Sequence, residues 1–432
     1  MVDDFLIEPQ SRMPPVNANT LVQSRLSQAE VDAICVKHDR LWSSKPGGAR
    51  AVFAFKDLSG VDLHGRNLCD ADFTGAILIG CNLRGAKLDN ATLFCSDLTN
   101  ADIREASLRR ADLRGACMRS VDLTGADLFE ADLREGALAA ASREFGFRRL
   151  ETGKSAQGEL RGAILAGANL ERSMLSGVVA VRADFTDANL TDAKLIRANL
   201  KQATMRGANM SGADLSGADL AGADLRDVVL VGATMASWNV TDANMTGALT
   251  DEPVGRPLGE LPYDQMIKDH ARWCETGGGE GKPSSFDHAD LRALSSISGY
   301  NLTALSAKGA VFYGLNMEGV QLQGAHLEGA DLRNCKLRRA DLRGARLAGA
   351  KLSGADLRAA QMGPLLLGAG RVLPCNLTGA QLKNSDLTNA DVRHAIFTDA
   401  DISRANFSGA QLRQATFAGV MRRGTRGLDE VI

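Results

Sequence analysis

No run of 18 apolar residues occurs anywhere in these 432 residues, so no membrane-spanning helix and no membrane insertion are expected. The start, Met1-Val2-Asp3-Asp4-Phe5, has neither a basic opening nor an apolar core, so it does not read as a secretory signal. A formal net charge of -2 excludes both a strongly basic polyanion binder and a strongly acidic chain. The eight cysteines never form a CxxC pair, and the six histidines show no ligand spacing. Neither a disulfide framework nor a metal site is therefore expected, and the thiols read as those of a reduced, cytoplasmic protein. No nucleophile, base or phosphate loop stands out. The closest approach, Gly277-Gly278-Gly279-Glu280-Gly281-Lys282, has Thr276 where the first glycine belongs and Pro283 where Ser or Thr belongs. A protein without catalytic residues and without a cofactor is the expectation.

What the chain does have is a five-residue pulse. Every fifth residue from Leu58 to Leu138 is apolar, including Leu63, Phe73, Leu83, Ile103, Met118 and Leu133. Two residues before each beat a small residue recurs, as Ala71, Ala86, Ala111 and Ala131 do. The residue just before is often Asp or Asn, and the residue two after is often Gly. Such an internal period marks a repeat architecture. Five matches neither the 3.6 of a helix nor the 2.0 of a strand. A chain with one inward apolar residue per five must turn a corner every five residues. Four sides close a coil of about 20 residues, and stacked coils lie about 4.8 Å apart.

The pulse resumes from Leu160 to about Thr250, shifted by two residues, and again from Leu302 to Phe417. That last phase runs through Met362, Leu367, Val372 and Leu377, which places Pro364 and Pro374 at corners. Cys81, Cys335 and Cys375 take the small inward position, whereas Cys69, Cys95 and Cys117 fall on outward ones.

The triplets Ala131-Asp132-Leu133, Ala213-Asp214-Leu215 and Ala330-Asp331-Leu332 follow the pattern A-(D/N)-L-x-x, which resembles the motif of the pentapeptide-repeat family. The resemblance covers most of the chain. It implies an all-β solenoid, a right-handed quadrilateral β-helix of pentapeptide repeats, to which the residues outside the pulse add short α-helical caps.

The expected organisation is a disordered tail at 1–20, a helical cap at 21–50, β-helix blocks at 51–138, 160–250 and 286–420, an insertion loop at 139–159, a helical linker or cap at 251–285, and a C-terminal tail at 421–432. In the first cap Ser27 and Glu30 form a capping box, and Leu26, Ile34, His38, Leu41 and Trp42 supply the apolar stripe. The second cap repeats the pattern with Met266, His270 and Trp273. Trp42 and Trp273 are the expected cap residues, because the first coil of a solenoid exposes an apolar end that something must cover. The step Leu291, Ile297, Leu302 calls for a one-residue bulge. In the insertion, Phe145, Phe147 and Leu150 are expected anchors and Gly153-Lys154-Ser155 a turn.

Charge is polarised along the chain. Acids outnumber bases over 57–138 and bases outnumber acids over 300–419. The basic candidates for partner binding are Arg333, Lys336, Arg338, Arg339, Arg343 and Arg346, which fall on successive faces as a girdle. An acidic stripe is expected on one face at Asp62, Asp102 and Asp122. Against it, many acids have an arginine two residues on, as Asp102 and Arg104 do, and such pairs cancel charge. The expected function is a scaffold or protein-binding module with an unspecified protein partner. The family's quinolone-resistance members imply the alternative, a DNA mimic that binds DNA gyrase. They end in a dimerising helix. Here the last coil has no evident cap, so a homodimer through the C-terminal end is a further expectation.

Overall fold

The computed structural model describes residues 24–137, 139–142, 146–149, 158–254, 262–294, 296–368 and 370–428. Its five-residue unit folds one way throughout. Each inward Leu opens a four-residue turn closed by the N–H three residues on, as Val61 N to Leu58 O at 3.0 Å. The residue two after the Leu takes a positive φ, 74° at Gly60, 58° at Asp70 and 56° at Asn90. Gly adopts this left-handed corner freely and Asn or Asp tolerate it, which explains the recurrent Gly. The residue before each Leu pairs in parallel with its counterpart one coil on: Asp62 with Asn82, Asn82 with Asp102, Asp102 with Asp122. Four such ladders make a right-handed quadrilateral β-helix. Leu123, Ala126, Leu128 and Ala131 are at most 1 % exposed, as are nearly all their equivalents. Each buried Leu contributes roughly 1.5–3 kcal/mol, and alanine between them keeps the interior narrow.

The chain divides into two compact units, Met1–Asp251 and Glu252–Ile432. The first opens with α1, Gln28–Trp42, started by the expected capping box of Ser27 and Glu30. Its buried face is Val31, Cys35 and His38. Leu41 and Trp42 are 47 % and 49 % exposed, so the expected stripe is corrected: the helix rests on residues one turn earlier, and Trp42 only meets the edge of His38. Cys69 is buried rather than outward.

Up to Asp132 the ladders step by 20 residues. Cys117 then pairs with Glu159 and Asp132 with Met174, and the step of 20 returns afterwards. Leu160 thus fills the coil position that the period assigns to Leu138, so residues on both sides of the phase shift belong to one core. Between them lies an excursion with a small antiparallel pair, β1 (Ala139–Ser142) and β2 (Gly146–Arg149). The chain re-enters at Gly158, where a Cβ would overlap the Leu133 carbonyl oxygen. The expected tail at 1–20 lies outside the described residues, as do Leu138, Phe145, Leu150 and the turn Gly153-Lys154-Ser155.

The second unit opens with α2, Tyr263–Glu275, which buries Tyr263, Ile267, His270 and Ala271. Trp273 does not cover the coil. It folds back on the glycine loop that ends the helix, with Nε1 3.3 Å from where a Cβ on Gly278 would stand. That loop follows a helix C-terminus, the wrong end for a phosphate. Asp290 pairs with Val311, a step of 21, and Ser296 with Asn316, so the extra residue lies between Leu291 and Ile297.

A second departure was hidden by the period. Arg346 pairs with Asn376, a step of 30, so ten residues leave the coil and return in phase. They form a hairpin of β3 (Leu365–Leu366) and β4 (Val372–Leu373). Leu367 and Val372 are each 51 % exposed, not inward. The physical reason is the corner. A proline is held near a φ of about -65° and cannot take the positive φ required two residues after an inward side chain. Pro364 is therefore where the coil must stop.

Candidate functional site

Within a solenoid the outward side chains are what a partner can meet, and their arrangement begins with the turn. The Asp or Asn before each inward residue accepts the N–H two residues on: Asp62 from His64 at 3.0 Å, Asp102 from Arg104 at 3.2 Å, Asp122 from Thr124 at 3.0 Å, and Asn169 from Glu171 at 3.2 Å. This explains the abundance of Asp, since the carboxylate satisfies a turn amide that the ladder leaves free.

Where Arg stands two residues on, it closes a second, bidentate contact on the same carboxylate. Arg114 Nε and Nη2 reach Asp112 at 2.9 and 2.8 Å, Arg343 reaches Asp341 at 2.9 and 2.6 Å, and Arg393 reaches Asp391 at 2.8 and 2.8 Å. The Arg104 contact holds the Asp102 carboxyl below the usual range, and Arg393 does the same to Asp391. Pairs this exposed add little stability. Their larger effect is on the surface field, which they cancel locally.

The acidic stripe is spatially real: Asp62, Asp102 and Asp122 lie on one ladder with Asn82 among them. Electrostatically it is partly spent, because Arg104 Nε also comes within 3.7 Å of Asp122. The ladder continues with Ile164. The basic candidates divide among four ladders. Arg333 is 6 % exposed and paired with buried Asp331, so it is removed from the list of partner contacts. Lys336 and Arg346 stand on two different ladders, Arg338 and Arg339 follow Lys336, and Arg343 belongs to the ladder of Asp341.

Sequence reading missed a longer row. Asp341, Gln361, Asp391 and Gln411 are consecutive on one ladder. Two residues after each come Arg343, Gly363, Arg393 and Arg413. Three arginines thus line one face, with a gap at Gly363 where the hairpin departs. The gap widens into a cavity of about 520 Å³, lined by the arginines, Gln361, Asp391, His394 and Gln414 on the coil and by Pro364 and Leu366 on the hairpin. Leu366 is 75 % exposed. The triplets Asp341-Leu342-Arg343 and Asp391-Val392-Arg393 carried the signal, but the ten extra residues hid that they are two coils apart.

Among the described residues no group of three His, Cys, Asp or Glu could hold a metal ion. None of the eight cysteines is joined in a disulfide. Cys81 and Cys335 are packed inward, their Sγ atoms 2.8 and 3.1 Å from the Leu58 and Phe312 carbonyls, and burial pushes the Cys81 thiol up to about 11. Among the described residues no helix is long and apolar enough to cross a membrane.

Coils of this size, with an inward Leu and a left-handed corner every five residues, define a β-helical repeat protein. The chain belongs to the pentapeptide-repeat family, whose profile matches residues 57–93, 96–134, 159–192, 183–222, 208–247, 321–362 and 375–420. Similar solved structures include the pentapeptide repeat protein Rfr23 from the cyanobacterium Cyanothece 51142, 26 % identical over 30 % of this chain and 91 % of that one, with a TM-score of 0.23. HetL from Nostoc sp. strain PCC 7120, involved in regulating heterocyst differentiation, is 21 % identical over 89 % of this chain and 94 % of its own, with a TM-score of 0.19. QnrB1, a plasmid-mediated fluoroquinolone resistance protein, is 20 % identical over 47 % of this chain and 86 % of its own, with a TM-score of 0.21. Overlaps this low transfer no activity. No curated protein matches the chain.

Proposed function

We propose that this chain is a non-enzymatic scaffold or protein-binding module that presents flat β-helix faces to a macromolecular partner. The observation that carries this reading is the register of the outward residues. One ladder runs unbroken from Asp62 through Asn82, Asp102, Asp122, Ile164, Asp184, Thr204 and Asp224 to Asn244. Each rung is fixed to its neighbours by backbone hydrogen bonds, so the side chains form a rigid array at the strand spacing of about 4.8 Å. A preorganised face loses little entropy on binding. The test is affinity capture from host cells with the full chain and with a variant carrying Asp184→Lys and Asp224→Lys. A partner that binds the parent, is lost by the variant, and binds again when both proteins are purified supports the reading. Partners captured equally by both proteins would place binding off this face.

One observation favours the gyrase-directed alternative, the alignment of Asp62, Asp102 and Asp122. The arginine pairs work against it, since a DNA mimic needs a sustained negative field. Unchanged supercoiling by DNA gyrase at micromolar protein is the outcome expected of the scaffold, and inhibition would favour the mimic.

A second copy is proposed to meet the end of the second unit, where Leu412, Phe417 and Val420 are only partly buried. Light scattering showing a monomer at high concentration would overturn this. A cytoplasmic setting is proposed with it, on the scattered cysteine spacing and the lack of any CxxC pair.

A further inference from the structure

We propose that the cleft between the β3–β4 hairpin and the arginine row of the second unit is a docking site for an extended acidic peptide segment of a partner protein. The inference rests on the binding-module reading above and gives it a site and a ligand chemistry. Three features of the cleft lead to it.

The first is charge. Arg343, Arg393 and Arg413 face the cavity, and because Asp341 and Asp391 balance the first two, the net positive charge there is that of Arg413. Arg343 and Arg393 are already oriented by their aspartates, with Nε and Nη2 engaged. Arg413 has no ion pair among the described residues and stands exposed at the rim. Its guanidinium is therefore ready to take a carboxylate in bidentate fashion, the geometry that arginine favours.

The second is shape. At Gly363 the row has no side chain, and a Cβ there would come within 3.0 Å of Asp391 Oδ2. The missing side chain, flanked by the rising hairpin, leaves a trough of about 520 Å³ along the coil stack. That volume holds a few residues of extended chain. It is open at the surface and walled on one side by Pro364 and Leu366, an apolar contact that an acidic peptide with one interspersed apolar side chain can use.

The third is the absence of any Phe, Tyr or Trp among the residues that line it. Single-stranded nucleic acid is held by stacking its bases on aromatic rings. This cleft offers polar side chains, Gln361 and Gln414, at the level of a peptide backbone instead.

The experiment uses the full chain and fluorescence anisotropy with a labelled octapeptide, Glu-Glu-Leu-Glu-Glu-Leu-Glu-Glu. The peptide is expected to bind, to weaken as salt rises, and to lose at least tenfold in affinity with Arg413→Glu. A similar loss is expected when Leu365–Pro374 is excised and Pro364→Gly restores the corner. Lys336→Glu, on another face, is expected to leave binding unchanged, and melting curves confirm that each variant folds. Equal binding by the parent and Arg413→Glu, or tighter binding of a single-stranded oligonucleotide that competes with the peptide, would overturn the proposal. If Arg413→Glu still captures the cellular partner of the parent chain, the cleft assignment fails while the binding-module reading stands.

Discussion

The two units begin in the same way and secure the beginning differently. In each, a helix lays a buried histidine over the first coil, and Nδ1 of that histidine accepts a backbone N–H from the chain entering the coil. For His38 the donor is Ala51 at 3.0 Å, and for His270 it is Ser284 at 3.0 Å. The acceptor role at Nδ1 puts the proton on Nε2. In the second unit Nε2 donates to Thr303 O at 3.1 Å. In the first it is buried without a partner at hydrogen-bond distance, although the Cys69 carbonyl lies in its direction. The helices invert this balance. α1 has a full capping box at Ser27, whereas α2 starts at Pro262 with no side-chain cap. One unit anchors its cap mainly through the helix start and the other mainly through the histidine. Covering an open coil is thus the requirement, and the bonds that meet it are interchangeable.

The comparison can be broken most forcefully beneath the caps. Phe286 packs against Tyr263 at 5.8 Å and Phe53 stacks on Phe73 at 4.9 Å. Phe286→Ala is expected to cost about 3–5 kcal/mol and to shift only the unfolding transition of the second unit. Each unit has its own core. A single transition that moves as a whole in denaturant melts would show the units to be thermodynamically one.

The histidines come next. His270→Ala strands Ser284 N–H and leaves Thr303 O with only the long contact from the Cys274 thiol at 3.5 Å. It is expected to cost about 2–4 kcal/mol, against about 1–3 for His38→Ala, which strands Ala51 N–H alone. Equal costs in chemical denaturation would erase the asymmetry. Both histidines should also register pH. Burial holds each pKa below the ordinary value of about 6.5. The unfolded chain then binds protons that the folded chain refuses, so this stabilisation is complete above about pH 6.5 and is lost as pH falls from there toward the folded values. Melting temperatures between pH 7.5 and pH 5 are expected to fall less steeply once both histidines are replaced.

Smaller effects sit at the helix starts. Ser27→Ala is expected to destabilise the first unit by about 1 kcal/mol, and Pro262→Ser to stabilise the second by up to about 1 kcal/mol. Calorimetry that moves the two transitions in opposite directions would confirm the inverted balance. The smallest effect is expected from excising Leu365–Pro374 with Pro364→Gly. It removes a hairpin whose Leu366 and Leu367 are exposed and whose Leu365 and Leu373 are only half-buried against Gly344. It also leaves Met362 one regular step from Leu377, so the melting temperature should change little.

Much of this was legible in the residues. The inward Leu and Ala, the capping box and the paired histidines follow from period and spacing, because core packing repeats itself at every beat. The ladder of Asp62, Asp102 and Asp122 follows from the coil length alone. What escaped was whatever adds a multiple of five. Leu367 and Val372 keep the beat of Met362 and Leu377 yet stand in solvent, since a period reports phase and not membership. Only the conformational demand of the corner, which Pro364 cannot meet, distinguished them. The arginine row escaped for the same reason, as Arg343 and Arg393 are brought together by residues that the count treats as coil. Trp42 and Trp273 misled because large apolar residues late in a helix read as anchors, whereas each helix lies on its earlier turns.

The ladders have one more consequence. Each outward residue bonds to partners in the coil before and the coil after, and none reaches further. A coil is therefore held by two neighbours and by nothing else. Under tension applied to its ends, a unit should not snap as a globule does. It should pay out one turn at a time from the end away from its helix, in equal steps broken by one longer step where the excursion or the hairpin leaves the coil, with the helix and its histidine the last to let go.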